Sequence, residues 1–147
     1  MKITSSAFEN MQHMPIKYTC NGENINPPLE FSEVPREAKS LVLIVDDPDA
    51  PKGTWTHWLV YNISPALREV RENSIPDEGE EGITSFGKTG YGGPCPPSGI
   101  HRYFFKLYAL SKTLSLEGTP DKNTIMENMK DSILAQSELV GLYSQQK

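Results

Sequence analysis

The chain has 147 residues, 14 Lys and Arg against 19 Asp and Glu, and a formal net charge of -5. This length supports one domain with a real core, taken as residues 1–147. The negative balance argues against nucleic acid or an anionic membrane surface as a bulk electrostatic partner.

Twelve prolines and eleven glycines, scattered along the chain, break it into short segments and predict a mainly β fold. The N-terminus, Met1-Lys2-Ile3-Thr4-Ser5-Ser6, lacks the apolar stretch of a signal peptide, and no apolar run reaches the roughly 18 residues that would suggest a membrane span. Both point to the cytoplasm, with no integral membrane association. Ile3–Ser5 and Pro28–Phe31 are the weaker strand candidates. Leu41–Val45 is continuously apolar and predicts a central strand buried on both faces. His57–Ile63 and Tyr103–Leu110, rich in aromatic and branched residues, predict two more strands.

Residues 66–82 are strongly acidic and read as a solvated surface excursion. Seven of the eleven glycines fall between Gly79 and Gly99, so that stretch is expected to be a long shaped loop, and such loops are usually functional. A helix is expected to start at Thr119-Pro120-Asp121, with Thr119 as cap, Pro120 at the first helical position and Asp121 facing the dipole. Ile125, Met129 and Ile133 continue it at four-residue spacing. Beyond Asp131 the pattern fits either helix or strand.

Cys20 and Cys95 are too few for a disulfide scaffold and wrongly spaced for a zinc knuckle. Two free thiols are the simplest reading for a cytosolic chain. The chemically versatile residues gather in short stretches at strand ends: Asp47-Pro48-Asp49-Ala50-Pro51, then Trp55-Thr56-His57-Trp58, and Gly92-Gly93-Pro94-Cys95-Pro96-Pro97 followed by His101-Arg102-Tyr103. Strand ends let a rigid sheet present polar groups to a ligand.

Asp-Pro-Asp alone suits a turn, and with Asp46 it lacks the glutamate and glycine spacing of a calcium loop. Two Asp and two His could hold a divalent metal, but nothing fixes a ligand geometry. No nucleophile elbow, zinc-protease motif, phosphate loop or dinucleotide fingerprint is present, so no cofactor is expected. No residue stands out as an activated nucleophile, which favours binding over catalysis. The alternative is a metal- or His/Asp-dependent hydrolase or lyase using the same residues.

Asp47-Pro48-Asp49-Ala50-Pro51, the Trp55-x-His57 pair and Gly93-Pro94 leading to His101-Arg102-Tyr103 resemble the signature stretches of the phosphatidylethanolamine-binding protein family, also called Raf kinase inhibitor proteins. Cys20-Asn21-Gly22-Glu23-Asn24-Ile25-Asn26-Pro27-Pro28-Leu29 and Tyr91-Gly92-Gly93-Pro94-Cys95-Pro96-Pro97 resemble its small bacterial and archaeal branch. The similarity runs in order from Ile3 to Tyr143.

The resemblance implies a central antiparallel Greek-key sheet packed on a smaller sheet, with one or two short flanking helices, and a strand over roughly 133–143. It also implies an anion pocket built by Asp47, Asp49, His57, Gly93, His101 and Tyr103, walled by Ala50, Pro51, Trp55 and Pro94. The implied function is non-catalytic binding of a phosphate-bearing small molecule, a phospholipid head group or a phosphorylated partner, with regulation of a kinase or protease as in relatives. Animal members continue into a C-terminal helix beside the pocket mouth. This sequence ends at Lys147 without it, so neither inhibition of Raf-type kinases nor head-group selectivity is expected.

In this pocket His57, His101, the Tyr103 hydroxyl and backbone amides of the glycine loop are expected to donate to phosphate oxygens. Asp47 and Asp49 would hold the imidazoles, raise their pKa values and receive the ammonium of a zwitterionic head group. The resemblance further suggests a cis Ala50-Pro51 bond and a homodimer.

Overall fold

The computed structural model describes residues 1–145. Strands β1 (Lys2–Thr4), β3 (Leu29–Ser32) and β6 (Glu69–Val70) form a small antiparallel sheet in the order β1-β3-β6. The large sheet runs β2-β9-β8-β4-β5-β7, from β2 (Gln12–His13), β9 (Ile133–Tyr143), β8 (His101–Leu110), β4 (Ser40–Asp47), β5 (Trp55–Ile63) and β7 (Glu80–Glu81). All its pairings are antiparallel except the short β2–β9 edge, which is parallel. The protein is mainly β, with a large sheet, a smaller one and, among the described residues, a single short α-helix, α1 (Lys122–Met129), as the sequence predicts. Among the described residues no helix is long and apolar enough to cross a membrane.

All of β4 is buried, because both faces of the large sheet are covered. Leu41, Leu43 and Val45 point to the small sheet and join Phe31, Trp58, Val60, Phe105 and Leu107 in one core. Val42 and Ile44 point the other way and meet Leu59, Tyr61, Ile125 and Met129 under α1. Each such side chain contributes on the order of 1.5–3 kcal/mol by leaving water. Asp46, wholly buried on the helix side, accepts from Lys122 Nζ at 2.7 Å and Lys106 Nζ at 3.1 Å, which ties α1 to β4 and β8.

Five expectations change. The helix is capped by Asp121, whose carboxylate accepts from Thr124 N at 2.9 Å, not by Thr119. The Pro120 carbonyl instead accepts from Ile83 N, so Thr119 and Pro120 stay in the loop. Ile133 opens β9 and still packs on the helix core, because its apolar side chain serves the same cluster from a strand.

The 66–82 stretch is not merely solvated. It supplies β6, with Val70 buried, and β7, whose Glu81 accepts from Trp58 Nε1 at 2.8 Å. The Ala50–Pro51 bond is trans, like every peptide bond described. The β4–β5 connection turns instead through Gly53, at φ 107, whose N–H donates to the Ala50 carbonyl.

Cys20 and Cys95 are not free thiols but a disulfide. Backbone pairing brings them together: Cys20 N donates to the Pro94 carbonyl, and Gly93 N to Asn24 Oδ1. A Cβ on Gly93 would lie 2.5 Å from both Asn24 Oδ1 and the Tyr18 carbonyl, so only glycine lets the two loops approach this closely.

Candidate functional site

The C-terminal end of β4 and the N-terminal ends of β5 and β8 meet at one edge of the large sheet, where Asp47 pairs with Trp55 and His101 starts its strand. A β-bulge decides what β5 shows there. Val45 pairs with Trp58 but Asp46 pairs with Thr56, which leaves His57 as the extra residue. Regular alternation would put His57 with Leu59 and Tyr61, on the helix side. The bulge turns it to the other face, with Asp47, Trp55 and Tyr103.

These side chains line a cavity of about 220 Å³. Of the residues singled out from sequence, the fold brings Asp47, Ala50, Pro51, Trp55, His57, His101 and Tyr103 onto its wall. Asp49, Gly93 and Pro94 are not on it. Phe86, Cys95, Pro96 and Pro97 are wall residues that sequence reasoning left out of the pocket. The cysteine–proline run was visible within the third cluster. Phe86 gave no signal, because it sits in a turn where Thr84 Oγ1 caps its N–H, with no periodicity around it. Its ring stands edge-on to Trp55 at 5.5 Å and to His57 at 5.4 Å.

His101 Nδ1 lies 2.7 Å from Asp47 Oδ2, both side chains nearly fully buried. Asp47 Oδ1 accepts from Asp49 N at 2.8 Å, so both its oxygens are engaged. Asp49 does not touch either imidazole. It forms a bidentate pair with Arg102 and also accepts from the Arg102 backbone N–H. The expectation that both carboxylates hold histidines is therefore corrected: one orients His101 and the other binds an arginine. The amides of Gly92 and Gly93 are likewise taken, by the His57 carbonyl and Asn24 Oδ1, and do not face a ligand.

His57 Nδ1 sits 2.7 Å from the Gly92 carbonyl. A carbonyl only accepts, so Nδ1 carries the proton. Nε2 is buried and has no hydrogen-bond partner among the described residues. Burial pushes the His57 pKa down, against the weaker pull of the Gly92 carbonyl and Asp47, which reverses the expected rise. Burial, and then the charge of Asp47, push the Tyr103 phenol well up, so its hydroxyl keeps its proton.

Residues 4–144 match the family model described as phosphatidylethanolamine-binding protein. The chain belongs to the phosphatidylethanolamine-binding protein family. A relative named UPF0098 protein from Methanothermobacter thermautotrophicus is 48% identical, over 97% of this chain and 98% of its own. Another of that name, from Chlamydia trachomatis, is 47% identical over 97% and 98%.

Among solved structures, a putative phosphatidylethanolamine-binding protein homologue from Chlamydia trachomatis superposes with a TM-score of 0.94 at 46% identity, covering 98% of this chain and 97% of that one. E. coli YbcL, described as a new member of the mammalian family, gives 0.91 at 27% identity, covering 99% and 98%. Family membership accounts for the fold, which the sequence motifs had already suggested.

Proposed function

We propose that this protein is a non-catalytic binder of a phosphate-bearing small molecule or a phosphorylated partner, and that the cavity between β4, β5 and β8 is the binding site. The observation that carries this is the orphaned Nε2 of His57, buried in a cavity whose other polar groups are His101, Asp47 and the Tyr103 hydroxyl. A buried polar atom without a partner is costly unless a ligand or water meets it. Neutral Tyr103 can donate to an oxyanion, and so can His101 Nε2 when the ring carries both protons, with Nδ1 held by Asp47.

The walls otherwise consist of Ala50, Cys95, prolines and aromatic rings, which suits a small headgroup set in an apolar frame. Binding is favoured over hydrolysis by the nucleophiles at hand: Cys95 is tied in a disulfide and Tyr103 stays protonated. The description of the matching family model, phosphatidylethanolamine-binding protein, supports a phosphate-bearing headgroup as the ligand.

Titration with inorganic phosphate and phosphoethanolamine, followed by protein NMR, tests the site. His101→Ala should weaken binding by about 1.5–3 kcal/mol, the worth of a charged hydrogen bond. Unchanged affinity would remove His101 from the site. Shifts at both histidines on adding zinc, with none on adding phosphate, would replace this reading with the hydrolase alternative.

The disulfide bears on where the protein works. Such a bond persists in an oxidising compartment and is reduced in most cytosols. Thiol labelling of protein taken directly from cells decides between the cytoplasmic expectation and an oxidising one.

A further inference from the structure

The cavity is poorly equipped for an anion in one respect. His57 holds its proton on Nδ1, against the Gly92 carbonyl at 2.7 Å, and leaves a bare, buried Nε2 on a ring that lines the cavity. In the neutral ring that atom is an acceptor, as is every oxygen of a fully deprotonated oxyanion. Two acceptors facing each other across a dry contact repel, and burial at 3 % exposure opposes giving the ring a second proton.

We propose that the site takes oxyanions that bring their own proton, with a ligand hydroxyl donating to His57 Nε2 while its remaining oxygens accept from Tyr103 and His101. This rests on the binding function proposed above and narrows its ligand class. Phosphate carries such a hydroxyl at neutral pH. A phosphate monoester carries one below its second pKa, about 6. Sulfate carries none. If the proton passes from ligand oxygen to Nε2, the ring gains the charge that the ligand loses, and no further reactant is needed.

The polar groups around His57 pull against burial, more weakly than burial pushes. From β4 come Asp47 on the cavity wall and Asp46 on the opposite face; both favour a protonated ring, but less than burial opposes it. From β8 come His101 and Tyr103. From the loop come the Phe86 ring, edge-on, and the Gly92 carbonyl.

The test compares inorganic phosphate with sulfate, of similar size and charge, by calorimetric titration at pH 7.5. Phosphate is expected to bind at least 10-fold more tightly. Sulfate should gain as the pH falls, once His57 takes a proton from solvent. His57→Gln places an amide there that can donate, and should bring sulfate to within about 3-fold of phosphate.

Equal affinities in the wild type at pH 7.5 would overturn this inference while leaving phosphate binding intact. Binding of neither anion would overturn both. Nitrogen shifts of the free protein provide a check that needs no variant: His57 should be the neutral tautomer protonated at Nδ1, and a proton on Nε2 would refute the proposal.

Discussion

Asp49 closes on Arg102 rather than on the cavity. Its two carboxylate oxygens take Nη2 at 2.8 Å and Nε at 2.9 Å, and one of them also takes the backbone N–H of Arg102. The pair thereby fastens the turn after β4 to the start of β8, one residue beyond His101. Hydrogen bonding to Arg102 holds the Asp49 carboxyl down at about 2.

A carboxylate with a lowered pKa stabilises the fold above its unfolded value, near 4, and loses that contribution as the pH falls toward 2. Arg102 is about half exposed, so solvent screening reduces the worth of the pair to about 1 kcal/mol. Asp49→Asn should therefore cost about 1 kcal/mol in urea unfolding at pH 6 and about half that at pH 3. An equal loss at both values would show that charge is not what the pair contributes.

The Cys20–Cys95 bond closes a span of 75 residues. In the chain-entropy account a loop of this length contributes about 4 kcal/mol by restricting the unfolded chain. Cys20→Ser should lower urea stability by that order, and dithiothreitol should do the same to the wild type but nothing more to the variant. Since Cys95 lies on the cavity wall, the variant should also bind phosphate less tightly.

Asn62 adopts φ 56, where most side chains are strained. It sits in a second β5 bulge, between the Leu41–Ile63 and Leu43–Val60 pairs. Its side chain clasps Leu114 twice, donating to the carbonyl and accepting from the N–H, each at 2.7 Å. Asn62→Ala loses both bonds and keeps the strain, a cost of about 2–3 kcal/mol. Asn62→Gly should recover about 1 kcal/mol of that, as thermal unfolding of the two variants would show. Equal costs would mean that the backbone is not strained.

The homodimer expected from the bacterial and archaeal branch has a concrete check. Met11, Ile16, Ile75 and Leu134 are large apolar side chains left exposed on a single chain. Light scattering at micromolar concentration should return twice the mass of one chain. The mass of one chain would refute it.

The strands that build the sheet were legible because their apolar runs leave little choice. Leu41–Val45 has no polar face, so it had to be covered on both sides, and β4 is. The aromatic and branched residues of Tyr103–Leu110 likewise marked β8. The two-residue strands β6 and β7 were not legible, because two residues carry no period and acidic side chains masked them. The identity of most wall residues followed from motifs at strand ends, where chemistry-bearing side chains cluster.

What only the tertiary structure decided is what each of those residues faces. A one-residue bulge, invisible in composition, turns His57 from the helix side to the cavity. An arginine one place beyond His101 takes Asp49 away from it. A disulfide forms because two loops far apart in sequence pair their backbones around Gly93. Local sequence sets which residues are available at a strand end, but their partners come from other strands and loops, and only the packed chain determines which donor meets which acceptor.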